Sequence, residues 1–324
     1  MDEAEMRNKS ELSEFLLSDL SVLTDSQFLF VFILLIYLLT LTGNLLIILL
    51  INTDAELQTP MFFFLENLSV LDICMSSIPA PHLFYSFLRE NSSITFTTCI
   101  AQIFFFIFFA TAEVCLLALM SYDRYVAICY PLHYISIIDN KVCATLTSCV
   151  WIFGFCYSLV HTLCTLRLTF CYVVNIKGFF CELYQLIQIS CSDSFINILL
   201  VYVLASVVGA IAFLTICISY FHVFSIILNN KFNKGRTKSF STCTSHLTVI
   251  IIFYTTSIFN YFQPKANRSA AGGLVSLTYS MFTPCLNPII FSLRNNELKR
   301  ALRRTLRKTT FFFIQIQRTI LKNC

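Results

Sequence analysis

The sequence predicts an all-α membrane protein, a bundle of seven transmembrane helices followed by a short amphipathic cytoplasmic helix. Three observations carry that prediction. Of 324 residues, 57% are hydrophobic and only 12% charged, whereas a soluble domain is nearer a quarter charged. Phe occurs 34 times and Gly 7 times, a composition that calls for no second, soluble domain. About seven apolar stretches approach the roughly 20-residue length that crosses a bilayer, and without water in the bilayer core a helix is the structure that satisfies their backbone.

Residues 1–26 hold seven acids and two bases with no early apolar run. They read as an extracellular tail without a cleavable signal peptide, in which Asn8 of Asn8-Lys9-Ser10 is the glycan acceptor. The spanning domain covers 27–293. Its apolar stretches fall at about 27–51, 60–87, 98–121, 142–164, 196–228, 242–263 and 272–293. The second and fifth are long enough to tilt or to project beyond the lipid. Further sequons at Asn91 and Asn267 lie in short outer loops, and that at Asn67 lies inside the second span, where it should go unused. Residues 294–324 form a cytoplasmic tail. From Asn295 to Lys308 its bases sit at 299, 300, 303, 304, 307 and 308, the spacing of an amphipathic helix lying on anionic membrane lipid.

With the N-terminus outside, fifteen of the 22 Lys and Arg fall on the inner side and seven on the outer, as the positive-inside rule requires. The net charge of +4 therefore speaks of topology in a multi-pass membrane and not of nucleic acid. Among 15 cysteines there is no metal-like spacing. Most lie in spans as small apolar residues. Cys99 opens the third span, and Cys171, Cys181 and Cys191 follow the fourth, facing an oxidising side where disulfides form. Spacing alone leaves three pairings open. HExxH and GxSxG are absent, which leaves no hydrolase signature.

Two carboxylates, Asp72 and Glu113, lie within spans, and intramembrane acids are functional candidates by default. Positions 106, 110, 113, 117, 121 and 124 share one face of the third span. Two close carboxylates either share a proton or hold a cation, with Asn44 and Asn287 as polar neighbours. Asp123-Arg124 lies elsewhere: Arg124 is 25 residues after Cys99, about 37 Å of helix, which places the pair at the inner mouth.

The strings TGNLLIILLI (42–51), LQTPMFFFLENLSVLDIC (57–74), MSYDRYVAICYPLHY (120–134), SYFHVF (219–224), KSFSTCTSHLTV (238–249) and TPCLNPIIFSLRNNELK (283–299) occur in this order on nearly every span. Together they resemble the olfactory (odorant) receptors, a branch of the rhodopsin-like G-protein-coupled receptors, over residues 12 to 308. The resemblance implies a plasma-membrane receptor that binds a small apolar odorant in the outer half of the bundle. It implies activation of a stimulatory, olfactory-type heterotrimeric G protein that raises cyclic AMP. The ligand positions it implies are Phe106, Ile107, Ala110 and Thr111 on the third span, Tyr202, Ala205 and Val208 on the fifth, Tyr254, Ser257, Ile258 and Tyr261 on the sixth, and Leu277 and Ser280 on the seventh. Where amine receptors carry an anchoring aspartate this chain has Phe106, so an uncharged or weakly polar ligand is expected. The implied switch and coupling residues are Asp123, Arg124, Tyr125, Tyr220, Asn287, Pro288 and Phe291, with Pro131–His133 and Lys234–Ser245 facing the G protein. Asp72, with Glu113, matches a sodium site, sodium being an allosteric modulator rather than a cofactor. The implied disulfides are Cys99–Cys181 and Cys171–Cys191.

Two departures stand out. NPIIF ends in Phe291 where the family has tyrosine, and FYTT (253–256) carries Thr255 where the family has glycine. A different class, an ion-coupled transporter or channel using Asp72 and Glu113, lacks internal repeats and paired broken helices. An orphan receptor of the same fold acting outside olfaction would have this same sequence pattern.

Overall fold

The computed structural model describes residues 14–17, 26–89, 93–171, 175–176, 180–229, 235–261 and 278–307. Asn8, Asn91, Asn267 and Leu277 lie outside them, as do the side chains of Ile258 and Tyr261. Among these residues five helices are long and apolar enough to cross a membrane: Gln27–Thr53, Pro60–Leu88, Phe96–Cys129, Asn140–Thr165 and Phe195–Leu228. A sixth helix and the described part of a seventh complete the seven-helix bundle.

Helix α1 is Ser26–Thr53, and a 3-10 turn at Ala55–Leu57 follows it, capped by the Asp54 side chain accepting from Glu56 N–H. The second span begins at Pro60, whose missing N–H costs nothing in the first turn. It is split into α2 (Pro60–Ser77) and α3 (Ala80–Arg89), because Pro79 cannot continue the helical hydrogen-bond ladder. Helix α4 (Phe96–Cys129) starts at Thr95, whose hydroxyl accepts from Thr98 N–H. Short α5 (Tyr134–Ile137) leads into α6 (Asn140–Thr165), capped by Asp139 accepting from Val142 N–H at 2.7 Å. Next come α7 (Leu183–Gln188), α8 (Phe195–Asn229) and α9 (Gly235–Tyr261). A π-type turn at Thr278–Phe282 opens α10 (Thr283–Arg294), and α11 covers 296–307.

Helix α4 is the central element, packed on α6, α8 and α2, while α9 packs mainly on α10 and only thinly on α4. Pro288 shows how the helices fit one another. A proline at 288 leaves the carbonyl of residue 284 without its helical donor, and Asn44 Nδ2 of α1 donates to Pro284 O at 3.3 Å instead. Beside it Gly43 leaves room for the ring: a Cβ there would meet Pro288 side-chain carbons at 3.1 Å.

One small sheet departs from an all-helical expectation. Strand β1 (Glu14–Leu17), within the segment expected to be an extracellular tail, is the middle strand of three. It runs antiparallel to β2 (Ser93–Thr95), with Phe15 opposite Ile94, and parallel to β3 (Asn175–Ile176). Phe15 is fully buried, its ring 5.6 Å from Phe170 and 6.1 Å from Phe96. That tertiary burial of one aromatic fixes a strand which tail composition does not announce. At the other end of the bundle Arg304 of α11 binds Asp54 and Glu56 through contacts of 2.6–2.9 Å.

Candidate functional site

At the sheet end of the bundle, both implied disulfides are present. Cys99 is joined to Cys181, tying the segment before α7 to the start of α4, and Cys171 is joined to Cys191. Gln102 supports the first bridge by accepting from Cys181 N–H at 3.1 Å. Phe180, next to Cys181, packs on Phe106 at 5.2 Å, and Phe106 meets Tyr279 at 5.7 Å. Rings continue through Phe253 and Tyr254 to Phe213 of α8, each step 5.7–5.8 Å.

Around this aromatic chain stand most of the implied ligand residues that are described. Thr111 and Ser280 are buried, and Ala110 packs on the main core. Ile107 packs instead on the small cluster formed by Phe15, Cys99 and Cys181. Tyr254 Oη and Ser257 Oγ are buried without a hydrogen-bond partner among the described residues. On α8, Ala205 and Val208 are half-buried. Tyr202 is not brought to the group: it is 52% exposed, its ring 6.4 Å from Tyr184 of α7. Phe180 and Tyr279 belong to the group but were absent from the sequence reading; only the position of Phe180 beside Cys181 hinted at it.

Midway along the bundle Asp72 and Glu113 are both buried, and Glu113 is close enough to act electrostatically on Asp72. Asn287 Nδ2 donates to Asp72 Oδ1 at 2.8 Å. Asp72 Oδ2, Glu113 Oε1 and Asn44 Oδ1 remain buried without hydrogen-bond partners among the described residues. Oxygens of this kind suit a hard cation, although no cluster of three or more His, Cys, Asp or Glu occurs among the described residues.

At the far end, Asp123 is buried and both its carboxylate oxygens are engaged. Arg124 donates to Oδ2, with Nε at 3.0 Å and the second guanidinium nitrogen closer still. Tyr134 of α5 donates to Oδ1 at 2.7 Å. Burial and the Asp123 carboxylate hold the Tyr134 phenol well above the usual tyrosine range, so it remains a donor. A small cavity of about 10 Å³ lies beside Arg124, lined by Met61, Leu65, Met120, His246, Phe291 and Asn295. Tyr220 is buried, and its hydroxyl is hydrogen-bonded to His246 Nδ1 at 2.6 Å. Tyr125 turns aside, with its ring against Tyr130 and His222. Tyr134 and His246 were missed as partners, although both lie in the quoted strings; the turn at 130–133 and the pairing of α8 with α9 bring them in.

A family profile described as "Olfactory receptor" matches residues 33–309. Human olfactory receptor 7C1 is 44% identical over 310 residues, spanning 95% of this chain and 97% of that one. Rat olfactory receptor 1496 is 42% identical, with 93% and 98% covered. Squid rhodopsin shares the fold with a TM-score of 0.65 at 17% identity, covering 85% of this chain and 79% of that one. The seven-helix bundle agrees with the likeness in fold. The chain belongs to the olfactory receptor family.

Proposed function

We propose that the chain is an odorant receptor of the plasma membrane, with the sheet end extracellular and the Arg124 end cytoplasmic. The distribution of Lys and Arg supports this orientation. The ligand is a small, largely apolar molecule. It enters the aromatic group around Phe106, Tyr254 and Tyr279, where the hydroxyls of Tyr254 and Ser257 offer it hydrogen bonds. A ligand can shift the receptor only by binding its open form better than its closed form. In the open form the cavity beside Arg124 admits the G protein, of the stimulatory olfactory type, and cyclic AMP rises. The observation that carries the reading is Arg124 itself: a guanidinium bound to a buried carboxylate at the rim of a cavity, at the end of the bundle opposite the disulfides.

Asp72 and Glu113 would hold a sodium ion, with Asn44 Oδ1 able to complete the oxygen set; the ion would supply positive charge between two buried carboxylates. The polar face of α11 would rest on anionic lipid. Asn8 would carry the glycan.

The test is cyclic AMP in cells expressing the chain, challenged with a panel of volatile compounds, beside Arg124→Ala at equal surface density. The expected result is an odorant-dependent rise that Arg124→Ala abolishes. A rise of equal size in Arg124→Ala would sink the coupling role of Arg124.

A further inference from the structure

We propose that the gap between β2 and β3 is a strand-receiving slot, that β1 is its exchangeable occupant, and that a docked β1 restricts access to the aromatic group around Phe106. The walls of the slot are fixed without β1. Strand β2 runs straight into α4, whose first turn Thr95 caps, and its Ser93 carbonyl accepts from His82 Nε2 of α3 at 3.1 Å. Strand β3 lies between Cys171 and Cys181, both in disulfides. The Cys99–Cys181 bridge thus ties the β3 segment to the helix that follows β2. Strand β1 is held differently. No cysteine precedes Cys74 in the chain, so no disulfide fastens β1; backbone pairing and the Phe15 ring do. The strand order is β2-β1-β3, with three residue pairs to β2 and two to β3. Removing β1 leaves two facing strand edges with open backbone groups, the arrangement that takes up an extended peptide.

The slot also has a seat for one aromatic ring. Phe15 is fully buried, in one cluster with Ile94, Cys99, Ile103, Ile176, Cys181 and Leu186. An occupant is therefore an extended segment that carries an aromatic side chain at the position of Phe15. The seat borders the aromatic group. Ile107 packs on the same cluster, and Phe180, beside Cys181, lies against Phe106 with ring centroids 5.2 Å apart. A filled seat supports Cys181 and, through it, Phe180. An emptied seat leaves a void there, and the surrounding chain shifts toward it or loosens. The effect on access rests on the ligand reading above; the slot itself does not.

The experiment separates the two. A protease site placed between Leu17 and Ser26 lets the folded chain reach the cell surface before β1 is cut free. A fluorescent peptide of residues 10–19, SELSEFLLSD, probes the slot. Ala110→Cys, one turn from Phe106 on α4, reports access through its rate of reaction with a membrane-impermeant methanethiosulfonate, with the chain lacking that substitution as background. After cutting and washing, the peptide should bind saturably. The same peptide with Ala in place of Phe should bind at least roughly ten-fold more weakly, because a buried Phe side chain contributes more than that. The uncut chain, whose slot is full, should bind neither. Cutting should speed the reaction at position 110 several-fold, and added peptide should return it to the uncut rate. Phe15→Ala in the uncut chain should behave like the cut chain. No peptide binding after cutting, or equal binding of the Ala peptide, would overturn the slot. Peptide binding with an unchanged rate at position 110 would uphold the slot and overturn its control of access. A faster rate that the peptide does not reverse would overturn that control too, by showing general loosening of the bundle. Neither readout uses an odorant or a G protein, so a silent odorant panel and a failed slot are told apart. If Phe15→Ala fails to reach the surface, the cleavable chain, intact until cut, decides the matter.

Discussion

Tyr134 illustrates how one hydroxyl can govern a charged pair. It gives Asp123 a second donor beside Arg124, so the carboxylate is fully occupied and Arg124 shares it with a residue from α5. Tyr134→Phe removes a hydrogen bond to a charged acceptor, worth about 1.5–3 kcal/mol. The expected outcome is a lower melting temperature of the detergent-solubilised protein. The phenol's ionisation is raised in the fold by burial first and by Asp123 second. Its stabilisation is therefore full at neutral pH and shrinks once the pH passes the unfolded value of about 10. Melting curves of wild type and Tyr134→Phe should stay a constant interval apart through neutral pH and converge above about pH 10; an interval that stays unchanged above that pH would contradict this account. Asn44 makes a similar point. Its amide is legible as polar in an apolar span, but its task, serving the carbonyl that Pro288 leaves free, depends on α10 lying against α1.

Between elements, α6 approaches α4 closely at Gly154. A Cβ on Gly154 would lie 3.0 Å from Phe108 O and 3.2 Å from the Phe108 ring. Small residues let spanning helices approach in this way, where dispersion and close packing hold a bundle together in lipid. Gly154→Val must push the two helices apart, at a cost of about 1–3 kcal/mol. Reduced melting temperature and reduced surface staining are expected, and a melting temperature equal to wild type would remove this contact from the account. Ser158, one turn further along α6, donates to Phe104 O at 2.5 Å and repeats the same close docking. Trp151 donates from Nε1 to Asn67 Oδ1 at 3.2 Å, so the sequon asparagine inside the second span is engaged with α6.

For the molecule as a whole, the two ends differ in how they are held. The sheet end is covalently tied: Cys99–Cys181 closes a loop across 82 residues of sequence and anchors the surface on which β1 lies. Loop-closure entropy for that separation is roughly 4–5 kcal/mol. Cys99→Ser should abolish surface expression or lower the melting temperature sharply, and intact expression at wild-type stability would show that the bridge is dispensable. The Arg124 end is held by ion pairs and hydrogen bonds: Arg124 with Asp123, Tyr220 with His246, and Arg304 with Asp54 and Glu56. The two ends thus differ in the chemistry that holds them, covalent at one and electrostatic or hydrogen-bonded at the other.

The sequence by itself determined the class of fold, because a bilayer admits few backbone solutions and each apolar stretch announces its own helix. The spans and the basic amphipathic helix expected from Asn295 to Lys308 follow from local composition, and the ordered strings pointed to the family; the break of the second span at Pro79 was not read from the sequence. Tertiary structure alone decided which polar groups meet. The pairings of Asn287 with Asp72, Tyr134 with Asp123 and Tyr220 with His246 join residues on different helices, whose mutual rotation no local pattern encodes. It also turned Tyr202 toward Tyr184 and made a strand of Glu14–Leu17 by giving Phe15 a place to be buried. The physical reason is one of range. Hydrophobic length is a property of a segment, whereas a hydrogen bond between helices exists only once packing has set their faces against each other.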